Sequence, residues 1–176
     1  SNPGYCAAPQ WMDATHLFEK VTLQLVQNVK LESKAEHAKR FKAPIPQPKE
    51  YKVGDVEKFW SKNIQANQFE QIEATCKAIG KNCYVFLENG RSVPDSAIKN
   101  IVTTFDEKIY PTDTKIFGSE WKPGIDGDDR IFLLLLDIKD GFNGSGGYVG
   151  GYFFAGDEFL QSQIPPQYNV KSNEKE

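Results

Sequence analysis

The sequence predicts an α+β fold, and three of its features carry that prediction. A strongly patterned helix follows Pro94, apolar strands surround Cys76 and Cys83, and an unbroken apolar run extends from Ile131 to Leu136. The aromatic content of 12% is typical of a packed domain with a substantial sheet. The chain of 176 residues is long enough to bury one core of ordinary size.

Residues 1–42 are predicted to form an N-terminal arm. Between Ala14 and Lys42, apolar residues recur close to one helical face among Lys, Glu and Gln, which favours a helix. β-branched residues in the same stretch also suit a strand. His16 and His37 both lie in this arm, too far apart for a local ligand pair, so a structural or neutral role is favoured over a catalytic one.

Residues 43–50 are predicted to be an extended linker, because their alternating prolines disfavour a helix. Residues 51–90 follow as a β-rich hairpin region. A strand is predicted from Tyr51 to Ser61, and the period-two alternation between Gln68 and Leu87 predicts a hairpin. Gly90, in the turn after the hairpin, is expected to take a positive φ.

The two cysteines of this hairpin are predicted to form a disulfide. A turn around Ala78 to Lys81 would place Cys76 opposite Cys83, within the Cα separation that a disulfide requires. The alternative is two free, buried thiols. A bridge would indicate an oxidising compartment, meaning secretion or the periplasm. Cys6 makes the number of cysteines odd, so one thiol is left over.

Residues 91–176 are predicted to hold one helix and several strands. Ser92 is suited to cap free N–H groups, and Pro94 is tolerated in a first helical turn. Apolar residues then recur at three- and four-residue steps from Ile98 to Ile109. The helix is expected to stop before Pro111, because proline cannot donate the next backbone hydrogen bond.

The apolar run Ile131–Leu136 is predicted to be the central strand of the sheet, since an uninterrupted run suits a strand with both faces covered. The glycine-rich stretch that follows is expected to be an edge strand or a wide loop. Asp157 and Glu158 end this stretch. They are weak candidates for acid and base chemistry, because adjacent residues of an extended chain point to opposite sides.

Asp126, Asp128 and Asp129 surround a glycine in the turn before the apolar run. Three carboxylates in so short a segment are a possible calcium site, because Ca²⁺ prefers several oxygen ligands. The segment lacks the twelve-residue loop and closing glutamate of an EF-hand. Acidic residues are also common in turns, where they bind local backbone N–H groups, so a structural turn is the favoured interpretation.

Several classes of function are excluded by composition and motifs. The net charge of −3 with scattered Lys and Arg argues against a nucleic-acid partner. No apolar run approaches the roughly 20 residues of a membrane span. Nucleophilic catalysis by Ser or Cys would need a histidine base, and the two-histidine helix of zinc peptidases is absent. We therefore assign no catalytic or cofactor-binding residue in this chain.

From about Tyr51 to Glu176, the sequence resembles the region upstream of the active site in hyicolysin-type secreted zinc metallopeptidases. The resemblance consists of short motifs that occur in the same order: Val53–Asp55, the hairpin from Cys76 to Cys83, Phe105–Pro111, Ile116–Glu120, Pro123–Asp128, Leu134–Ile138 and Gly151–Phe153.

The resemblance implies that residues 91–176 are an incomplete zincin-like subdomain, to be followed by a strand and a zinc-binding His-Glu-x-x-His helix. The chain would then be a non-catalytic N-terminal fragment of a secreted zinc metallopeptidase, located outside the cell, at the cell surface or in the periplasm. Its partners would be its own missing C-terminal catalytic part and, in the parent, a protein or peptide substrate. Zinc is expected in the parent only, and the arm is a possible propeptide. A non-enzymatic protein-binding module is the alternative.

Overall fold

The computed structural model describes residues 10–28, 36, 39 and 48–175. Its strands are β1 (Gln10–Asp13), β2 (Val56–Asn63), β3 (Gln68–Ile79), β4 (Cys83–Glu88), β5 (Ile131–Leu135) and β6 (Gly147–Gly151). Its α-helices are α1 (Glu19–Asn28), α2 (Asp95–Thr104) and α3 (Tyr110–Phe117), and a π-helical segment, Phe105–Ile109, joins α2 to α3. This mixture of helices and separate strands confirms the α+β class.

Four strands form the main sheet, in the order β2-β3-β4-β5. The first three are antiparallel neighbours, and β5 runs parallel to β4, with Cys83 beside Ile131 and Leu87 beside Leu135. Every residue of β4 from Cys83 to Leu87 is buried, because the strand has a neighbour on each edge and covered faces on both sides. The core of the domain is therefore centred on β4.

The two faces of the sheet carry different apolar clusters. The first cluster is mainly aromatic and consists of Tyr51, Phe59, Ala74, Cys76, Tyr84 and Phe86. The second joins the sheet to α2 and the π-helical segment and consists of Cys83, Val85, Ile98 and Phe105. A third cluster connects the residues after β1 with the C-terminal part of the chain and consists of Phe18, Phe154, Ile164 and Val170.

The predicted disulfide between Cys76 and Cys83 is wrong, and both thiols are free and buried. The hairpin turns at residues 80–82, so Cys76 lies beside Phe86 while the backbone of Cys83 accepts a hydrogen bond from Gly80. A register shift between Cys76 and Ala78 adds to the offset. The two thiols consequently belong to clusters on opposite faces of the sheet.

The prediction that Ile131–Leu136 forms the central strand is also wrong. Among the described residues β5 pairs with β4 alone, and it lies at the edge of the main sheet. The residues of this run are half-buried, not fully buried. An apolar run indicates that both faces of a strand contact other apolar groups. It does not indicate how many neighbouring strands pair with it.

The helix after Pro94 continues beyond its predicted end. Pro111 is the second residue of α3, directly after the π-helical segment, where the i→i−4 hydrogen-bond register is already interrupted and the missing N–H costs little. The helical run ends at Gly118, whose φ of 89° suits glycine. Pro94, not Ser92, is the N-cap residue, and no side chain caps the helix there.

The arm contains a helix as predicted, since α1 covers Glu19–Asn28. A short strand, β1, and a 3₁₀ turn, Thr15–Phe18, precede it. Apart from residues 36 and 39, the rest of the predicted arm helix, including His37, lies outside the described residues, as do residues 43–47 of the linker. The proposed domain boundaries stay predictions. None of the described helices is long and apolar enough to cross a bilayer.

The strand predicted to start at Tyr51 starts at Val56, because a turn at Gly54 (φ 100°) precedes it. Gly54 donates its N–H to the carbonyl oxygen of Cys76 over 2.8 Å. Gly90, after the hairpin, has the positive φ that its turn predicts, 84°. The hairpin itself is confirmed, as the antiparallel pair β3 and β4.

The turn between β3 and β4 is held by a carboxylate from the helical layer. Asp106 accepts hydrogen bonds from the backbone N–H groups of Lys81 and Asn82, over 2.7 and 2.8 Å. A Cβ at Gly80 would lie 2.5 Å from the Asp106 carboxylate, so only glycine permits this close approach. The π-helical segment and the hairpin are thereby fixed to each other.

We predict that Asp106→Ala lowers the free energy of unfolding by about 1–3 kcal/mol, because two turn N–H groups lose a charged acceptor. Urea denaturation would measure the loss. Glu107→Ala is the matched control, since Glu107 is the adjacent, exposed carboxylate. Equal effects of the two substitutions would contradict this role of Asp106.

Both buried cysteines should be recovered as free thiols. Burial raises the pKa of the Cys83 thiol to about 11, so thiolate-specific reagents should label the folded chain slowly at pH 8. After denaturation without reductant, alkylation and peptide mass spectrometry should find Cys76 and Cys83 modified separately. A peptide pair cross-linked through these two cysteines would contradict the structure.

Candidate functional site

A groove of about 830 Å³ runs along β5 and is the candidate functional site. The apolar run Ile131–Leu136 forms one wall, and Ile101 of α2 lies against it. The segment Gly150–Phe154 also lines the groove. Asp157, Glu158, Asn173 and Lys175 bring polar groups to the same cavity, which is called the β5 groove below.

The open edge of β5 gives the groove its character. In the part of the chain that the structure describes, no strand pairs with β5 on the side opposite β4. Six consecutive apolar residues, 131–136, are half-exposed there. Natural proteins normally shorten, charge or cover such an edge, because unpaired backbone groups beside apolar side chains attract another strand. The β5 groove therefore has the properties of an association surface.

The polar end of the groove is organised by Asn173. Its side-chain oxygen accepts a hydrogen bond from the Trp60 N–H over 2.7 Å, and its side-chain nitrogen donates to the Trp60 carbonyl oxygen over 3.0 Å. Trp60 belongs to β2, at the other edge of the sheet. Asn173 thus pairs with the β2 backbone in the way a neighbouring strand would, and it fixes the C-terminal segment to the sheet.

Asp157 orients this asparagine. One carboxylate oxygen of Asp157 accepts hydrogen bonds from the backbone N–H of Asn173 and from its side-chain nitrogen, over 2.8 and 3.1 Å. The carbonyl oxygen of Asp157 accepts from the Lys175 N–H over 3.0 Å. Burial raises the pKa of Asp157 to about 6, and the hydrogen bonds from Asn173 oppose that rise. This group therefore titrates close to neutral pH.

Lys175 supplies a positive charge beside the aromatic cluster. Its ammonium group donates to the Tyr51 hydroxyl over 3.2 Å and lies 4.9 Å from the centre of the Phe132 ring. The positive charge of Lys175 helps to hold the pKa of Glu57 low and opposes the rise in the pKa of Asp126. The groove combines a long apolar wall with charges of both signs at one end, which suits the binding of an extended polypeptide.

The structure brings Asp157 and Glu158 together in a way that the sequence did not predict. They lie in a 3₁₀ turn, Ala155–Glu158, not in an extended segment, and both line the groove. Their role as acid and base stays untested. The contacts of Asn173 and Lys175 were missed, because an isolated asparagine and a lysine in an unpatterned tail give no signal of long-range pairing.

The aspartates of the predicted calcium turn serve the fold. Asp128 is buried and accepts hydrogen bonds from the Tyr84 hydroxyl and the Arg130 N–H, both over 2.8 Å. Asp126 accepts from the Asp128 N–H over 3.0 Å, and burial raises the pKa of Asp126. Asp129 follows on the same turn. These contacts account for Asp126 and Asp128 as turn residues, and calcium binding there stays a prediction.

Metal-binding geometry is not found in the described ranges. No group of three or more His, Cys, Asp or Glu side chains is placed there to hold a metal ion. His16 is exposed in the 3₁₀ turn after β1, and its ring nitrogen lies 3.1 Å from the carbonyl oxygen of Asp13. This histidine has a local backbone contact, and its structural or neutral role stays a prediction.

Stability should depend on pH through Asp157. A raised pKa in the folded state means that this group stabilises the fold fully below its unfolded pKa of 3.8, and that the contribution is lost as the pH rises through about 6. The change in the free energy of unfolding caused by Asp157→Asn should therefore be more favourable at pH 7 than at pH 4, by up to about 3 kcal/mol.

Urea denaturation of the wild type and Asp157→Asn at both pH values would measure this difference. Asp137→Asn removes another carboxylate from the groove and serves as the control for a general change in charge. An effect of Asp157→Asn that is the same at pH 4 and pH 7 would rule out the raised pKa.

The comparison with known proteins identifies a metallopeptidase relative. No protein-family model matches the chain. Over 102 residues, or 58% of its length, the chain is 37% identical to neutral metalloprotease ShpI of Staphylococcus hyicus. The match covers 23% of that protein, so the chain spans less than a quarter of its relative's length. The resemblance to metallopeptidases is confirmed: more than half of this chain is metallopeptidase-related in sequence.

Proposed function

We propose that this chain is a non-catalytic part of a secreted zinc metallopeptidase and that peptide hydrolysis belongs to the longer protein. The observation that carries the proposal is the 37% identity to neutral metalloprotease ShpI over 102 residues. In the longer protein the substrate would be a protein or a peptide. This chain would contribute a folded sheet on which the catalytic part assembles.

We assign no zinc ligand to this chain, because His16 and His37 are too far apart in sequence to form a local ligand pair. Catalytic zinc sites generally take three protein ligands and keep one position for water. The sequence contains two histidines and no His-Glu-x-x-His motif. One of them, His16, is exposed on the arm. Zinc, when bound by the longer protein, would activate water for attack on the peptide bond.

The β5 groove is the proposed contact surface for the missing catalytic part. Its open strand edge offers backbone N–H and C=O groups, and its walls offer half-exposed side chains of Ile131–Leu136. A strand added to this edge would satisfy the backbone groups and bury the apolar run. Asn173 and Lys175 of the C-terminal segment already line the same cavity.

Secretion is part of the proposal, and it rests on the resemblance alone. The disulfide that would have indicated an oxidising compartment is absent, since Cys76 and Cys83 are free. Surface or periplasmic placement and a propeptide role for the arm are likewise proposals. A propeptide role predicts that the separate arm inhibits the full-length enzyme.

A second candidate function is a non-enzymatic protein-binding module. The observation that favours it is the exposed apolar end of α3, where Ile116 and Phe117 are 65% and 83% exposed. Exposed aromatic and aliphatic side chains of this kind are common at protein contacts. The two candidates differ in whether proteolysis appears when the chain is part of its longer protein.

We predict that the purified chain does not cleave casein with or without added zinc, and that the longer protein does so in a chelator-sensitive way. Within the longer protein, Leu136→Lys should lower activity at least tenfold, because it places a charge on the groove wall. Val53→Lys is the control, since Val53 is 65% exposed and lies outside the groove.

Activity of the longer protein that falls equally with both substitutions would argue against the groove as the contact surface. Zinc-dependent cleavage by the purified chain would refute its non-catalytic role. A longer protein without chelator-sensitive activity would favour the binding module instead.

A further inference from the structure

Strands β1 and β6 form a sheet of their own. They pair in parallel, with Gln10 beside Gly147 and Met12 beside Val149. Within the described residues this sheet has only these two strands. Isolated two-stranded sheets are marginally stable in water, and parallel pairing is found mainly where both faces are buried. Both considerations make β1 a weakly held strand.

The side chains of β1 are only partly covered by β6. All four residues of the strand are exposed, with Trp11 at 69% and Met12 at 47%. Apolar stabilisation scales with the area removed from water, so side chains that stay this exposed contribute only part of what burial would give. The backbone pairing with β6 is therefore the main local attachment of β1.

The residues after β1 hold the segment in place. Ala14 is fully buried and donates its N–H to the Gly151 carbonyl oxygen over 2.9 Å. The Thr15 hydroxyl accepts a hydrogen bond from the Phe153 N–H over 3.0 Å. Phe18 is buried in the third apolar cluster. Residues 14–18 are thus anchored by burial and hydrogen bonds, whereas residues 10–13 are held mainly by backbone pairing with β6.

The surface of β6 is shaped for large side chains. A Cβ added at Gly150 would lie 3.2 Å from the Trp11 ring, and one added at Gly147 would lie 2.8 Å from the terminal methyl group of Met12. A Cβ at Gly151 would meet no atom within 4 Å. Gly147 and Gly150 therefore leave space for the bulky side chains of an extended segment. Gly151 is not needed for that space.

We propose that the β6 edge is a binding site for extended peptides that carry an aromatic residue, and that β1 is its occupant within the same chain. Backbone groups of β6 supply affinity by strand addition, and the space over Gly150 selects the aromatic side chain. Because β1 belongs to the same chain, its effective concentration at β6 is high. It therefore blocks other peptides until it dissociates from β6. This inference does not depend on the proposed relation to peptidases.

The test uses the full chain carrying Met12→Pro. Proline removes the N–H of residue 12 and is poorly tolerated within a strand, so β1 should leave β6 while the anchor at residues 14–18 stays. The probe is a fluorescent peptide with the sequence of residues 8–15. Fluorescence anisotropy should show that Met12→Pro binds this peptide at least tenfold more tightly than the wild type does.

Matched glycine variants then locate the site. Adding Gly150→Val to Met12→Pro should weaken peptide binding at least tenfold, because the new side chain fills the space of the aromatic ring. Gly151→Val in the same background is the control and should bind as Met12→Pro does. A peptide with serine in place of its tryptophan should bind at least tenfold more weakly than the probe.

Equal binding by the wild type and Met12→Pro, or binding that is insensitive to Gly150→Val, would overturn the proposal. A second measurement needs no substitution. In the unmodified chain, saturating peptide should displace β1 and speed limited proteolysis within residues 10–13. Unchanged proteolysis under saturating peptide would equally overturn the proposal, even if a variant failed to fold.

Discussion

Strand β4 is buried on both faces and between two strands, and this burial determines where the neighbouring strands, the helical layer and the acidic turn lie. Each of its residues from Cys83 to Leu87 is at most 5% exposed. Successive side chains of β4 alternate between the aromatic cluster and the helical layer. Strands β3 and β5 cover the two edges of β4. Tyr51 covers one of its faces, and α2 covers the other. Since Tyr84 is buried with its hydroxyl, that group needs a partner, and Asp128 provides it. The acidic turn is therefore fixed by the core.

The burial of β4 also explains why β5 has a fixed position in the sheet but only one paired edge. Its register with β4 is set residue by residue, from Cys83 beside Ile131 to Leu87 beside Leu135. That pairing uses one edge of β5 and leaves the other to the groove. The C-terminal segment does not take the open edge, because Asn173 binds the backbone of β2 instead. The proposed assembly with a catalytic part follows from this unused edge together with the relation to a metalloprotease.

The local parts of the fold could be predicted from the sequence, and the long-range parts could not. Alternation revealed the β3–β4 hairpin, and apolar spacing revealed the helix after Pro94, because both depend on neighbouring residues. The disulfide prediction failed because the true turn and a register shift displace Cys76 from Cys83. The run Ile131–Leu136 showed two covered faces and could not show a missing neighbour. Asn173 and Lys175 act over more than 100 residues, and no local pattern marks them.

Hydrogen exchange at the β5 amides would show whether the open strand edge is covered in the longer protein. If the groove receives the catalytic part, the amides of Ile131–Leu135 that face away from β4 should exchange at least about tenfold more slowly in the longer protein than in this chain, because added backbone pairing protects them. The amides of β4 are already buried and provide the internal reference. Equal exchange rates for β5 in the two proteins would contradict the claim that its open edge is covered when the peptidase assembles.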